Sequence, residues 1–292
     1  MNMKKIFVNG LSALDLIHKV DEIPIEISKY KSLETVLSVG GAAHSSIAIQ
    51  RLGGNSYLSS FLGNDEIGSV IKKKLINENI NLTYLIFSNN YKSPSSSIFI
   101  DKNGERLVMN NRDNLKESLS FNYDFSIFDG FLFDTRYPNE TLNLLEKVKN
   151  IKKPKVLDAE MNVSLDMINL CTHVAFSYEG LINFTKADNV HSALKKVAAQ
   201  TKTKIFVTNG SFGSYYLKNN ELINIPTINI KPENTLGAGD VWHGAFIYMI
   251  TLNRDIEECM KFANIMASLK CKFFDSLKAI PYMKDVKSFL KP

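Results

Sequence analysis

The sequence predicts an α/β fold, a doubly wound, mostly parallel sheet with helices on both faces and a small β lid beside it. Three observations predict it. Short apolar, β-branched stretches alternate with helix-length amphipathic segments through most of the 292 residues, the pattern of repeated βαβ units. Two regions, about 13 to 38 and 95 to 110, interrupt that rhythm with β-rich sequence. Finally, "NTLGAGDVWHGAF", Asn234 to Phe246, places three small residues and an aspartate where an apolar helix begins. Open α/β sheets bind anions at such helix starts, beyond the carboxyl ends of their strands. The length fits one domain over 1–292, with the two β-rich regions as lid insertions.

The elements follow in order. "KKIFVNGL" is apolar enough for a buried first strand, "AHSSIAIQRLGG" is a helix with a glycine stop, and "SYLSSFLG" is a strand before the helix "DEIGSVIKKKLINENI". "SSSIFID" and "GERLVMNN", joined by "KNG", read as a hairpin. The alternation resumes with "FDGFLFDTR", "NETLNLLEKVKN", "KPKVLDAE", "HVAFSY", "NVHSALKKVAAQT" and "KIFVTNG". No linker, repeat or low-complexity segment is evident.

Composition bounds the function. With 45% hydrophobic and 22% charged residues the chain reads as a soluble globular protein, and no apolar run reaches the roughly 20 residues of a membrane span. "MNMKKIFVNG" lacks the core and cleavage site of a signal peptide. Cys171, Cys259 and Cys271 are widely spaced, with neither a disulfide framework nor a zinc pattern; a cytoplasmic location is expected. The net charge of +5 is spread along the helices, which points away from nucleic acid and leaves small anionic substrates open.

The chemistry sits in "LGAGD". Gly237, Ala238 and Gly239 carry little or no side chain, so a phosphate can approach the amides of the helix start. Asp240 falls in the first helical turn, where a carboxylate is favoured and stays ionised. The combination offers an anion cradle and a base, the parts needed to transfer a γ-phosphoryl group to an alcohol. By itself the stretch also reads as a plain helix start, with glycines for packing and an aspartate complementing the dipole.

With "VGGAAHSSIAIQRLGGNSYLSSFLGNDEIG" from Val39 to Gly68 as a second motif, the sequence resembles the ribokinase-like (PfkB) carbohydrate kinases, from "FVNGLSALDLIHKVDEIP" through "AIPYMKDVKSFL". The resemblance implies a ribokinase-like fold and a sugar kinase using ATP and Mg2+. It makes Asp240 the catalytic base and Gly237, Ala238 and Gly239 the anion hole. Asp15 matches an aspartate that binds sugar hydroxyls, Gly40 and Gly41 match a diglycine beside the substrate, and His44 stands where many members have a sugar-binding Asn. In "VTNGSFGSYYL", Thr208, Gly210 and Gly213 match the nucleotide side, and Asn264 in "FANIMASLKC" matches the adenine-side helix.

Departures from the family pattern carry information too. Asn234 replaces the first aspartate of the C-terminal motif, at the monovalent-cation site some members have. The Asn-x-x-Glu motif that organises magnesium is absent from Ser177 to Gly180, with Glu179 one place out of register; no protein metal ligand is assigned, and phosphates and water are expected to hold the ion. That serine and the "LKC" of the adenine-side helix are shared with ketohexokinases and 6-deoxy-6-sulfofructose kinases. The segments "FDTRYP", "HVAFSYEGL" and "GAGDVWHGA" look closer to the latter. That subgroup receives its sulfonate on a Lys, an Asn and an Arg, matched here by Lys29, Asn110 and Arg136. A tetrahedral monoanion is well served by such donors. The expected reaction is phosphorylation of C1 of 6-deoxy-6-sulfofructose, by a homodimer joined through its lids. A ketohexokinase or other sugar kinase acting on fructose or ribose, and a non-catalytic sugar-binding protein, remain alternatives.

Overall fold

In chain order the strands are β1 (Lys5–Asn9), β2 (Ser12–Lys19), β3 (Glu34–Gly41), β4 (Asn55–Gly63), β5 (Leu85–Ser88), β6 (Ser95–Ile100), β7 (Arg106–Asn111), β8 (Gly130–Asp134), β9 (Lys155–Ala159), β10 (His173–Ser177), β11 (Lys204–Thr208), β12 (Ser214–Lys218) and β13 (Glu221–Ile225). The helices are α1 (Ala42–Arg51), α2 (Glu66–Asn77), α3 (Pro138–Val148), α4 (Leu165–Leu170), α5 (Tyr178–Thr185), α6 (Val190–Ala198), α7 (Ala238–Thr251), α8 (Ile256–Lys270) and α9 (Met283–Leu290). The computed structural model describes residues 3–26, 28–113 and 123–290, so Ile27 of the first lid segment lies outside the described residues.

Nine strands form one sheet in the order β13-β12-β11-β10-β9-β8-β1-β4-β5. From β5 to β11 all neighbours are parallel, and β12 and β13 close one edge as an antiparallel hairpin. The near-continuous apolar runs seen in the sequence have a simple cause, since both faces of this sheet are covered. Along β1, Ile6 and Val8 face the layer of α1, α2, α7 and α8, while Phe7 faces that of α3 to α6. The same alternation sends Leu132 one way and Phe131 and Phe133 the other. Phe7 anchors the second layer, with the rings of Tyr84, Phe125, Phe128, Phe131 and Phe133 at 5.3–6.4 Å, separations that suit aromatic pairs.

The chain order reverses around β1, which lies between β4 and β8. Such a reversal opens a crevice at the carboxyl ends of the strands. Directly after β1 the chain leaves the main sheet and builds a second, four-stranded one, ordered β3-β2-β6-β7. Residues opposite each other in this lid sheet share a face. Ser38, Asp15, Ser96 and Asn110 form one cross-strand row, and Leu37, Leu16, Ser97 and Met109 form the next. The polar row faces the crevice, and the apolar row faces away from it.

Candidate active site

Carboxyl ends of the parallel strands and the polar face of the lid enclose a cleft of about 470 Å³. Asp158 arrives from β9 and Glu160 from just beyond it, Ser177 from β10, Thr208 from β11, Arg136 from just beyond β8, and Asp15, Ser96 and Asn110 from the lid. Gly40, Gly41 and His44 border it at the start of α1, and Leu236 to Asp240 at the start of α7. A second cavity, about 480 Å³, runs between β11, the segment after β13, α7 and α8, past Gly210, Gly213, Thr227, Trp242 and Asn264. Thr208, Thr235, Ala238 and Gly239 line both, so the helix start predicted to cradle a phosphate lies on the boundary between them.

Local conformation explains the small residues. Gly237 caps α7 in the left-handed region at φ 72°, and a Cβ there would stand 2.2 Å from the imidazole of His44. Gly239 faces open space, where a side chain would fill the cleft instead of meeting protein. A Cβ on Gly40 would strike the carboxylate of Asp15 at 2.3 Å. The α1–α7 contact is tied by Ser45 Oγ, which donates to the Asp240 carbonyl at 2.8 Å.

Charge converges on Asp240. Its carboxylate lies 3.9 Å from His44 Nδ1 and 3.9 Å from Arg136 Nη1. Burial works against its ionisation, but His44, Arg136 and His243 outweigh burial and hold the carboxyl below the ordinary range. It is therefore ionised at neutral pH and competent to accept a proton. Around it the acids are less comfortable: burial raises Asp15, Asp134 and Asp158 above the usual carboxylate range, against the pull of His44, Arg136 and His243 respectively. Arg136 is the common counter-ion, 2.8 Å from Glu160 and 3.4 Å from Asp134, and these carboxylates more than offset its burial and keep it charged. His44 is fully buried and, among the described residues, neither ring nitrogen has a hydrogen-bond partner.

Asp15, Gly40, Gly41, His44, Asn110, Arg136, Gly237, Ala238, Gly239 and Asp240 meet at the first cleft, and Thr208, Gly210, Gly213 and Asn264 at the second cavity. Lys29 is not brought to them. It is exposed on the β2–β3 connection, outside the residues lining the cleft. That connection folds on itself, with the Glu26 N–H donating to the Tyr30 hydroxyl. Asn264 has its amide occupied: Nδ2 donates to the Ile225 carbonyl at 2.8 Å, and Oδ1 accepts from Trp242 at 2.7 Å. It braces the wall of the cavity with those atoms.

Sequence reasoning passed over Arg106 and Arg112, which line the cleft from β7 and just beyond it. The period-2 rule held the signal, because 106, 108, 110 and 112 must share the face of Asn110. Asp158 was also passed over, although strand-end carboxylates facing a crevice are what this sheet topology favours, as was Asp134, which is buried behind Arg136 and accepts from the Leu11 N–H. His243, one turn into α7, has Gly239 O at 2.7 Å from Nδ1 and Ala175 O at 3.2 Å from Nε2; nothing local in the sequence marks it.

Known proteins match this arrangement along its length. The chain is 25% identical to a ribokinase of Bacillus subtilis over 99% of this chain and 100% of that one. A solved chain from Agrobacterium tumefaciens superposes with a TM-score of 0.93 at 25% identity, covering 99% of this chain and 98% of that one. An Arabidopsis thaliana ribokinase solved with ribose and ATP superposes with a TM-score of 0.85 at 20% identity, covering 99% of both chains. The profile of the pfkB family carbohydrate kinases matches residues 3–276, and with that span, this fold and a cleft built around Asp240, the chain belongs to the pfkB family and is a carbohydrate phosphotransferase of ribokinase-like fold.

Proposed function

We propose that the protein transfers the γ-phosphoryl group of MgATP to a hydroxyl of a sugar with an anionic end, with C1 of 6-deoxy-6-sulfofructose as the preferred acceptor. The observation that carries the transfer is the meeting of two cavities at Ala238 and Gly239, beside Asp240. ATP fits the cavity between β13 and α8, and the sugar fits the cleft under the lid. Asp240 accepts the hydroxyl proton, the sugar oxygen bonds to phosphorus, and the phosphorus–oxygen bond to the departing ADP breaks. Amides of the α7 start face the charge that develops on the transferring group. Among the described residues no cluster of three metal-ligating side chains is present. The donor set therefore fits a Mg2+ held mainly by phosphate oxygens, with Asp158 and Glu160 as the available carboxylates and neutralised phosphate charge as its contribution.

Support for an anionic end comes from the polar lid face, where Asn110 stands with Arg106 and Arg112 in the cleft wall. Arg112 Nη2 donates to Asn110 Oδ1 at 3.3 Å. A specific observation favours a second reading, a neutral ketose or pentose: Lys29 lies outside the cleft, and Arg136 already faces three carboxylates. Cytoplasmic residence suits the three free, buried cysteines, and a dimer joined through the lids suits the apolar outer row of the lid sheet.

The test is ADP release with 6-deoxy-6-sulfofructose, fructose, fructose 6-phosphate and ribose, for the wild type and for Asn110→Ala and Arg112→Ala. On the anionic reading each variant loses about tenfold or more in kcat/KM on the sulfonated sugar, and much less on fructose. A wild-type preference for fructose or ribose establishes the neutral reading. Sugar binding without ADP release on any sugar would make the protein a binder.

A further inference from the structure

Lys270, the last residue of α8, is fully buried. Its ammonium has no carboxylate partner among the described residues; it donates to the backbone carbonyls of Asn234, at 3.2 Å, and Leu236. Burying an ammonium against neutral acceptors is costly, so its placement calls for an explanation beyond filling space. Those carbonyls belong to the loop that runs directly into Gly237, Ala238 and Gly239. We propose that Lys270 is a positioning residue for phosphoryl transfer, supplying from within the chain a fixed positive charge behind the anion cradle, so that no bound monovalent cation is needed there.

The geometry of a trans peptide carries the argument. The C=O and N–H of one peptide point in opposite directions. In the Leu236–Gly237 peptide the carbonyl is turned inward to Lys270, which turns the Gly237 N–H outward, toward the side on which Gly237 lines the cleft. A cation on the carbonyl also polarises the peptide and strengthens that N–H as a donor. Simple tethering of the loop does not need the charge. Ser276 Oγ also donates to the Leu236 carbonyl, at 3.2 Å, and Asn234 fastens the loop by donating from Nδ2 to the Phe274 carbonyl at 2.8 Å and accepting the Leu236 N–H at 2.9 Å. Burial pulls the ammonium down to about 8, against the opposing influence of Cys271, Asp240 and Asp15, with Arg106 adding to the fall. The charge is thus present at neutral pH and is lost as pH rises through that value.

This inference rests on the phosphotransferase activity and on no particular sugar, so any sugar that supports turnover serves, and binding of ADP with aluminium fluoride serves without one. The full-length wild type is assayed with potassium, sodium or tetramethylammonium as the only monovalent cation. Lys270→Met and Lys270→Ala are assayed with and without added potassium or methylammonium. The wild-type rate is expected to change by less than about twofold across the cations, since its own ammonium already serves. The variants should lose about tenfold or more in kcat, less than the roughly 10²–10³ for removing an oxyanion donor outright, because the Gly237 N–H itself remains. Their sugar KM should stay within about twofold, ADP with aluminium fluoride should bind more weakly, and potassium or methylammonium should restore part of the rate to Lys270→Ala. Severalfold activation of the wild type by potassium overturns the proposal, as does a folded Lys270→Met with wild-type kcat. If neither variant folds, the wild-type cation series and pH profile decide: cation indifference with kcat falling above pH about 8 supports the fixed charge, and a flat alkaline limb or potassium dependence refutes it.

Discussion

At the residue scale the site divides into one comfortable carboxylate and several uncomfortable ones. Asp240 is held ionised by His44, Arg136 and His243. Asp240→Asn should therefore leave ADP binding and thermal stability nearly intact and lower kcat by about 10² or more, the usual weight of a general base; near-normal turnover would remove it from that role. Asp158 is the opposite case, since burial raises its folded pKa above the unfolded value. A raised carboxyl adds stability below the unfolded pKa and forfeits it as pH rises through the folded one. Asp158→Asn should thus stabilise the unliganded protein at pH 7 by on the order of 1 kcal/mol, with the gain shrinking toward pH 4. A melting-temperature series against pH checks this, and a gain that grew on acidification would contradict the assignment. Asp240 and its glycines are legible in sequence because a helix start is local, and Arg106 and Arg112 follow from the alternation that puts them on the face of Asn110. Lys29 stays exposed outside the cleft, because a matching place in the chain does not fix which way a polar loop turns.

At the element scale the site depends on how closely α1 and α7 approach. A Cβ at Gly244 would lie 2.5 Å from the Ser45 carbonyl, and the same Ser45 holds Asp240 through its hydroxyl. Gly244→Ala should cost about 1–3 kcal/mol through overpacking, and because the strain falls between the base and its anchor, kcat should fall with it. Denaturant melts and steady-state kinetics on the same variant test the pair; a stability loss with unchanged kcat would detach the crossing from the chemistry. The lid makes a second element-scale prediction. Its own core is small, Ile17, Ile98, Ile100 and Phe274, so opening it exposes little apolar surface, while its polar row faces the substrate cleft. Hydrogen exchange in β2, β3, β6 and β7 should slow when a sugar substrate is added, relative to the parallel strands. Alternation and periodicity showed these elements in the sequence, but not which face of the lid sheet looks inward. That depends on cross-strand register, which pairs β2 in parallel with β6, Leu14 opposite Ser95 and Asp15 opposite Ser96, 81 residues further on, beyond the reach of local patterns.

At the scale of the whole molecule, the outer lid face is the feature a single chain leaves unexplained. Leu16, Leu37, Leu107 and Met109 are exposed there at 37%, 40%, 39% and 68%, and all of them lie on the side of the lid turned away from the cleft. The edge strands β3 and β7 add unpaired backbone groups of the kind that proteins usually cover. A second copy presenting the same face satisfies both demands through one two-fold contact. It would also stiffen the sheet that holds Asp15 and Asn110 over the cleft, so association and sugar affinity should be coupled. We expect the wild type to sediment as a dimer at micromolar concentration and the double variant Leu37→Glu, Met109→Glu to sediment as a folded monomer. Each introduced charge has nowhere to go in an apolar contact except into water. The monomer should keep its melting behaviour in the nine-stranded core, bind ADP as the wild type does, and show a raised sugar KM, because only the sugar depends on the lid. A wild type that sediments as a monomer, or a double variant that remains a dimer, would remove the lid face from any role in assembly and leave its apolar row without a partner of this kind.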